Sequence, residues 1–175
     1  MVRGGDRATG AEQGGDAVDA ILAQWARERP DLDASPMALI GRVSRLAAVL
    51  DQSLREVFAE HGLVRGEFDL LATLLRSGAP HRLTVGELHR NSMVTSGAIT
   101  HRLDRLEGRG LVTREQAAHS RRVVEVEITP EGRRVAEAAL EDHLRNEHRL
   151  VEGLSAAERE QLAGLLRAWS MALDA

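Results

Sequence analysis

Apolar residues recur at two spacings along this chain, and the spacing divides it into helices and strands. From residue 16 to residue 77 the apolar positions fall three or four apart, which is typical of amphipathic helices. Caps and breakers place the ends of three predicted helices, at about Asp16 to Arg29, Ser35 to His61, and Arg65 to Ser77.

The segment from Thr84 to Pro130 predicts a winged helix-turn-helix. Thr84-Val85-Gly86-Glu87 is a capping box that opens a short helix. Thr95-Ser96 offers the N-cap of a second helix, in which one face carries Ile99, Leu103 and Leu106. Gly108 and Gly110 end this second helix.

Two strands and two further helices follow. Leu111-Val112-Thr113 predicts one strand, and the alternation of valine and isoleucine with glutamate from Val124 to Ile128 predicts another. Arg121-Arg122 is expected at the turn between them. A long helix then runs from Glu131 to about Val151, and a capping box at Ser155 opens the last one. The predicted fold class is mainly α, a winged helix-turn-helix with a small antiparallel β-wing.

The domain organisation follows from the same pattern. Residues 1–15 are rich in glycine and polar residues and predict a disordered tail. Residues 16–175 predict a single winged-helix domain, with the DNA-binding part at 65–130. The terminal helices, at 16–61 and 131–175, are too apolar on one face to stand alone in water. A homodimer formed through them is the economical solution.

Composition removes several classes of function. The chain has no cysteine, which excludes disulfide scaffolds, thiol catalysis and cysteine-based metal sites. It has no nucleophile elbow, phosphate-binding glycine loop or metal-ligand pattern, so we predict neither an enzyme nor a cofactor or metal. Without an apolar segment long enough for a membrane or a signal core, a cytoplasmic protein is the default expectation.

Charge has to be examined locally. The net charge is −4 and the pI about 6.0, which is unusual for a general nucleic-acid binder. The segment from His81 to Arg122, however, contains eight arginines and only four acidic residues. This basic excess coincides with the segment that would meet DNA.

Polar residues of the second helix and the wing are the candidates for DNA contact. On the helix, Arg105 can donate two hydrogen bonds to guanine, and the hydroxyl groups suit phosphates and base edges. On the wing, the arginines suit phosphates or the minor groove. The alternative is that all of them are ordinary solvated side chains. The candidates are Thr95, Ser96, Thr100, His101, Arg105, Arg121 and Arg122.

These residues resemble the MarR family of bacterial transcription regulators from about Ser35 to the C-terminus. Thr95 to Glu107 looks like the recognition helix of that family, and the segment from Leu111 to Gly132 looks like its wing and exit. The chain departs from the family at His101, where asparagine is frequent, and at residues 117–120, which lack the usual aspartate of the wing turn. The resemblance implies a double-stranded DNA operator and a homodimer.

A narrower resemblance is to the urate-responsive branch of the family, which includes the HucR, PecS and TamR regulators. It implies that Trp25, Asp69, Ser77 and Arg102 bind a small anionic effector such as urate or a related metabolite, with trans-aconitate as another possibility. The alternatives stay open: Trp25 as a core residue, Asp69 as a solvent-exposed side chain, and Arg102 as a phosphate contact.

The sequence thus predicts a ligand-responsive regulator, released as a repressor from a pseudo-palindromic operator. Two rival functions remain. One is a winged-helix regulator that responds to a different signal, and the other is a protein-interaction module that has lost DNA binding.

Overall fold

The computed structural model describes residues 15–92, 99–117 and 120–173, and these form seven helices and three strands. The chain divides into two compact units, of which the first ends at Val49 and the second begins at Leu50. The elements are α1 (Ala17–Glu28), α2 (Met37–Glu60), α3 (Arg65–Arg76), β1 (Arg82–Thr84), α4 (Val85–Asn91), α5 (Ile99–Gly108), β2 (Val112–Ala117), β3 (Ser120–Ile128), α6 (Pro130–Leu150) and α7 (Ala156–Leu173).

The predicted fold class is confirmed: the protein is mainly helical and carries a small antiparallel sheet. The strand order is β1-β3-β2, with Val112 opposite Ile128 and Arg82 opposite Glu127. Strand β1 was not expected, because three residues are too few to show an alternating pattern. The prediction that Arg121 and Arg122 form the turn is wrong, since β3 already begins at Ser120 and includes both.

The first unit contains α1 and the beginning of α2. Asp16 caps α1 by accepting hydrogen bonds from the backbone N–H groups of Val18 and Asp19. Arg42 of α2 forms ion pairs with the same acidic end of α1, at 2.9 Å from Asp16 and 2.7 Å from Asp19. Val18 is buried beside Gly41, where an added Cβ would meet the valine at 3.3 Å. These contacts fasten α1 to α2 with little apolar burial.

The second unit contains the hydrophobic core. Phe58 of α2 stacks on Phe68 of α3 with ring centroids 4.3 Å apart. The apolar faces of the helices and the inner face of the sheet complete the core with Leu70, Leu71, Leu74, Leu88, Ile99, Leu103, Leu106, Leu111, Val112, Val126, Ile128, Ala136 and Ala139. The predicted apolar stripe of α5 therefore packs inward, which leaves its other side for solvent or a partner.

The base of the wing is fastened to the start of α6. The Thr129 hydroxyl donates to the carbonyl oxygen of Gly110 at 2.7 Å and accepts from the Gly132 N–H at 2.9 Å. Gly110 itself has φ +69°, a left-handed conformation that favours glycine where the chain leaves α5. Gly132 is buried against the backbone of Leu111. These contacts hold the base of the wing close to the first turn of α6.

Both units expose large apolar side chains. The first unit exposes Ile21, Trp25, Leu39, Ile40, Leu46 and Val49, and the second exposes Leu50, Leu144, Leu162, Leu165, Leu166, Met171 and Leu173. None of the helices in the described ranges has the length and apolar character needed to cross a membrane.

Candidate nucleic-acid interface

Helices α4 and α5 form the predicted helix-turn-helix pair. Thr84 and Glu87 make the predicted capping box: the Thr84 hydroxyl accepts from the Glu87 N–H at 3.1 Å, and Glu87 accepts from the Thr84 N–H at 2.8 Å. The Glu87 carboxylate also accepts from the Thr84 hydroxyl at 2.8 Å. The two hydrogen bonds that this carboxylate accepts, from the Thr84 N–H and the Thr84 hydroxyl, lower the pKa of Glu87 because both stabilise its charged form. On α5, Thr100 and His101 are exposed opposite the buried face. Thr95 and Ser96 lie outside the described residues.

Arg105 is not presented to solvent as a free side chain. Its Nε lies 2.9 Å from Oε1 of Glu67, a residue of α3 that is completely buried, although the contact lacks the direction of a hydrogen bond. Arg109, which directly follows α5, lies 3.7 Å from the other oxygen of Glu67 and donates to the Gly62 carbonyl at 2.8 Å. Sequence reasoning missed Glu67. Its position three residues after Val64, where a capping glutamate is favoured, was the available signal.

The wing is tied to α5 by one arginine. Arg114 of β2 lies 2.7 Å from Asp104 and donates from Nε to Glu107 at 3.0 Å. The hydrogen bond with Arg114 lowers the pKa of Glu107, and the same bond raises the pKa of Arg114. Further along the wing, the side chain of Arg122 is exposed. Arg121 belongs to β3, but its side chain is outside the described part of the structure.

The guanidinium of Arg102 packs on Gly66 in the first turn of α3. A Cβ at Gly66 would come within 2.5 Å of Arg102 Cζ and Nε, so only glycine leaves room for this arrangement. Nη1 of Arg102 is buried without a hydrogen-bond partner among the described residues. Asp69 follows Gly66 by three residues and is therefore near it on the surface of α3. A cationic nitrogen that is desolvated and unsatisfied favours an incoming anion.

Ser77 and Trp25 are the other two predicted effector residues. Ser77 follows the last residue of α3, where its hydroxyl donates to the Leu74 carbonyl at 2.7 Å. The eleven residues from Gly66 to Ser77 correspond to about 16 Å along a helix axis. Trp25 belongs to α1 in the first unit and is 42% exposed. Of the four predicted residues, the second unit brings together Arg102 and the part of α3 that carries Asp69.

No group of three or more histidine, aspartate or glutamate side chains in the described residues is arranged to hold a metal ion. The exposed surface of α5 and the strands beside it combine hydroxyl, imidazole and guanidinium groups. These side chains are suited to hydrogen bonds with bases and to ionic contacts with phosphates.

Comparison with protein families finds that residues 63–124 match the model described as the MarR family. The chain is 38% identical over 149 residues to the HTH-type transcriptional regulator PecS of Dickeya dadantii, covering 85% of this chain and 90% of PecS. It is 28% identical over 145 residues to the transcriptional repressor YetL of Bacillus subtilis, covering 83% of this chain and 86% of YetL.

Solved structures share the fold. Sco3205 of Streptomyces coelicolor, a MarR family regulator in complex with DNA, superimposes with a TM-score of 0.73 at 23% identity, over 81% of this chain and 93% of its own. BpsR of Bordetella bronchiseptica, whose DNA binding is regulated by 6-hydroxynicotinic acid, gives a TM-score of 0.67 at 22% identity, over 74% and 91% of the two chains.

Proposed function

Because this chain belongs to the MarR family of DNA-binding transcriptional regulators, we propose that it is a repressor whose dimer leaves a pseudo-palindromic operator when a small anionic effector binds. The observation that carries the DNA-binding part is the orientation of α5. Its apolar stripe is buried in the core of the second unit, and Thr100 and His101 are exposed on the opposite side. A helix so oriented can enter a major groove, with its base contacts made by these side chains.

The basic wing supplies the second part of the proposed interface. Arg122 is exposed on β3, and Arg121 precedes it on the same strand. Contacts from these arginines to phosphates would position the protein without reading sequence. Thr95 and Ser96, at the expected start of the recognition helix, remain predicted contacts to phosphates or base edges.

A homodimer is proposed because both units expose many large apolar side chains on their helices. Surfaces of this kind are typically covered by a partner. A two-fold dimer would present two recognition helices about 34 Å apart, matching successive major grooves. A protein with this task works beside the chromosome, so the cytoplasm remains the expected location.

The effector part of the proposal rests on Arg102. Its Nη1 is buried and unpartnered among the described residues, and it belongs to the recognition helix itself. An anion that binds there would pull on α5, and only a ligand that prefers the form unable to bind DNA can release the operator. Asp69 is proposed to contribute to this site beside Arg102. Trp25 remains a predicted effector contact, with an apolar ring face and an indole N–H donor. Ser77 is proposed only as a contact for a larger ligand, given its distance along α3.

DNA binding is tested by a mobility-shift assay with the intergenic region next to the protein's own gene. The dimer should bind this duplex, and affinity should fall steeply with added salt because phosphate contacts release counterions. Binding that ignores salt, or no binding at all, would leave the interaction-module alternative as the better description.

The effector is tested by titrating urate, xanthine, trans-aconitate and 6-hydroxynicotinate into the protein–operator complex. Trp25→Phe and Asp69→Asn should keep operator affinity and weaken the response to the active anion. Asp31→Asn makes the same chemical change as Asp69→Asn at an exposed carboxylate that pairs with Arg29, and it serves as the matched control. If no anion releases the wild type, or if both variants respond normally, the proposed site is wrong while DNA binding stands.

A further inference from the structure

One buried carboxylate joins the recognition helix to the helix beneath it. Glu67 is 0% exposed in the first turn of α3, and its two oxygens have different partners. Oε2 accepts a hydrogen bond from the backbone N–H of Val64 at 3.0 Å, which caps the helix. Oε1 has no hydrogen-bond donor in the described residues and lies 2.9 Å from Nε of Arg105.

We propose that Glu67 is a positioning residue for sequence recognition, which holds the Nε edge of Arg105 so that the outer edge of the same guanidinium reads a guanine. This rests on the proposed function, because it presumes that α5 lies in a major groove. Arginine presents five N–H donors in a rigid plane. The contact at Nε is an ion pair and not a hydrogen bond, and it leaves the two terminal nitrogens to bond to O6 and N7 of guanine together.

Burial and exposure fit this division of the guanidinium. The carboxylate of Glu67 is fully enclosed, whereas half of the Arg105 side chain, 50%, remains accessible. The inner partner is thus fixed in the core of the second unit while the outer part of the arginine faces solvent. A long side chain fixed in this way loses less conformational freedom when it meets a base than an untethered one would.

Helix capping alone does not account for a charged residue at this position. The cap uses one oxygen, and the amide of glutamine would accept the same hydrogen bond from Val64. Burying a carboxylate is costly unless a cation compensates it. Arg109 is 3.7 Å away and already donates to Gly62, so Arg105 is the closer cation and the one that meets Oε1. The charge of Glu67 is therefore accounted for by Arg105.

The test compares affinity for the footprinted operator with affinity for a scrambled duplex of the same length. Glu67→Gln keeps the cap and removes the charge, and Arg105→Lys keeps the charge and removes the planar fork. Each should lower the operator-to-scrambled ratio about tenfold, within the range known for one bidentate base contact. The double variant should lose no more than either single one, since both changes remove the same interaction.

Two controls separate positioning from bracing. Glu137→Gln removes an exposed carboxylate that also meets an arginine through Nε, at 2.7 Å from Arg133 on α6, and should keep the wild-type ratio. All affinities are measured at temperatures where circular dichroism shows each variant folded. If Glu67→Gln does not fold, Glu67→Asp keeps the charge, withdraws it from Arg105, and must lower the ratio in the same way.

The outcomes distinguish this proposal from the function beneath it. A wild-type ratio in Glu67→Gln or Glu67→Asp makes Glu67 a structural brace only and overturns the proposal. Losses that add in the double variant, or a wild-type ratio in Arg105→Lys, overturn it as well. A wild-type protein that binds operator and scrambled duplex equally would instead contradict the proposed function.

Discussion

Arginine is the residue type on which most of the proposed interface depends, and the copies around α5 have different surroundings. Arg102 packs on Gly66, and one of its nitrogens has no hydrogen-bond partner within the described ranges. Arg105 is held by buried Glu67, and Arg122 is exposed on the wing. The same type of side chain is therefore expected to serve three purposes, set by its neighbours: Arg102 binds an anion, Arg105 contacts a base and Arg122 contacts a phosphate. The chain contains no lysine, so arginine is its only permanently cationic side chain.

The wing arginines should contribute affinity without selectivity. Replacing Arg121 and Arg122 with alanine should weaken binding to operator and scrambled DNA equally, because both residues are expected to meet phosphates. The slope of log affinity against log salt should become shallower by about one for each lost phosphate contact. Fluorescence anisotropy at several salt concentrations measures both quantities. The control is Arg134→Ala on α6, where an exposed arginine pairs with Glu131. A changed preference between the two duplexes would contradict a phosphate role.

Individual elements are joined by a few close contacts, and the tightest is between the base of the wing and α6. A Cβ at Gly132 would overlap the carbonyl oxygen of Leu111 and lie 2.7 Å from its carbonyl carbon. Because the obstacle is backbone rather than a flexible side chain, the two elements would have to move apart. The position requires glycine for space, not for an unusual φ.

Gly132→Ala should therefore lower the free energy of unfolding by about 3 kcal/mol, as overpacking in a tight site does. Gly153→Ala is the matched control, because a Cβ there meets no atom within 4 Å. Denaturant unfolding followed by circular dichroism gives both values. Equal stability of the two variants would show that α6 and the wing are not held as closely as described.

The link between α5 and β2 should depend on acid. Arg114 lowers the pKa of Glu107 below its ordinary value of 4.5, so the ionised carboxylate favours the folded state. This contribution is present above pH 4.5, the unfolded value, and is lost as the pH falls through the lower folded value. The melting temperature of Glu107→Gln should consequently fall less steeply than that of the wild type below this pH. Parallel acid profiles for the two proteins would rule out the stabilising link.

How far the sequence predicts an element depends on how local its cause is. The capping boxes at Thr84 and Ser155 and the apolar stripe of α5 were readable because a few neighbouring residues determine them. Strand β1 could not be predicted in this way, because it forms by pairing with β3 and has no sequence pattern of its own. The spacing of Glu67 from Val64 indicates its capping position, but its ion pair with Arg105 could not be predicted, because Arg105 is distant in sequence. The periodicity of apolar residues predicts single helices and strands, but it does not predict which side chains of different elements contact each other.

At the scale of the whole molecule, the exposed apolar side chains indicate a protein that is incomplete as a single chain. The C-terminal helix α7 shows this most clearly, since none of its residues is buried and Leu165 is 62% exposed. A helix that is apolar and uncovered requires a partner surface. The twofold symmetry expected of the operator makes a second copy of the chain the proposed partner.

Leu165→Glu should weaken dimerisation and, with it, operator binding, because a charged side chain would enter the proposed interface. Sedimentation at about micromolar concentration, where a dimer of this kind is expected to persist, should show dimeric wild type and monomeric variant. Arg167→Gln changes the net charge by the same amount at an exposed position on the opposite side of the same helix and is the control. Monomeric wild type that still binds the operator tightly would contradict the dimer.

The bridge from Arg114 to Asp104 and Glu107 has a consequence for how the target DNA can evolve. Because this bridge fastens the wing to α5, the two would meet the DNA at a fixed distance from each other, with little freedom to adjust. Base substitutions in a half-site would then be tolerated one contact at a time, whereas a base pair inserted between half-sites would misplace helix and wing together. The DNA sites of this protein should therefore vary in base sequence far more than in the number of base pairs between their half-sites.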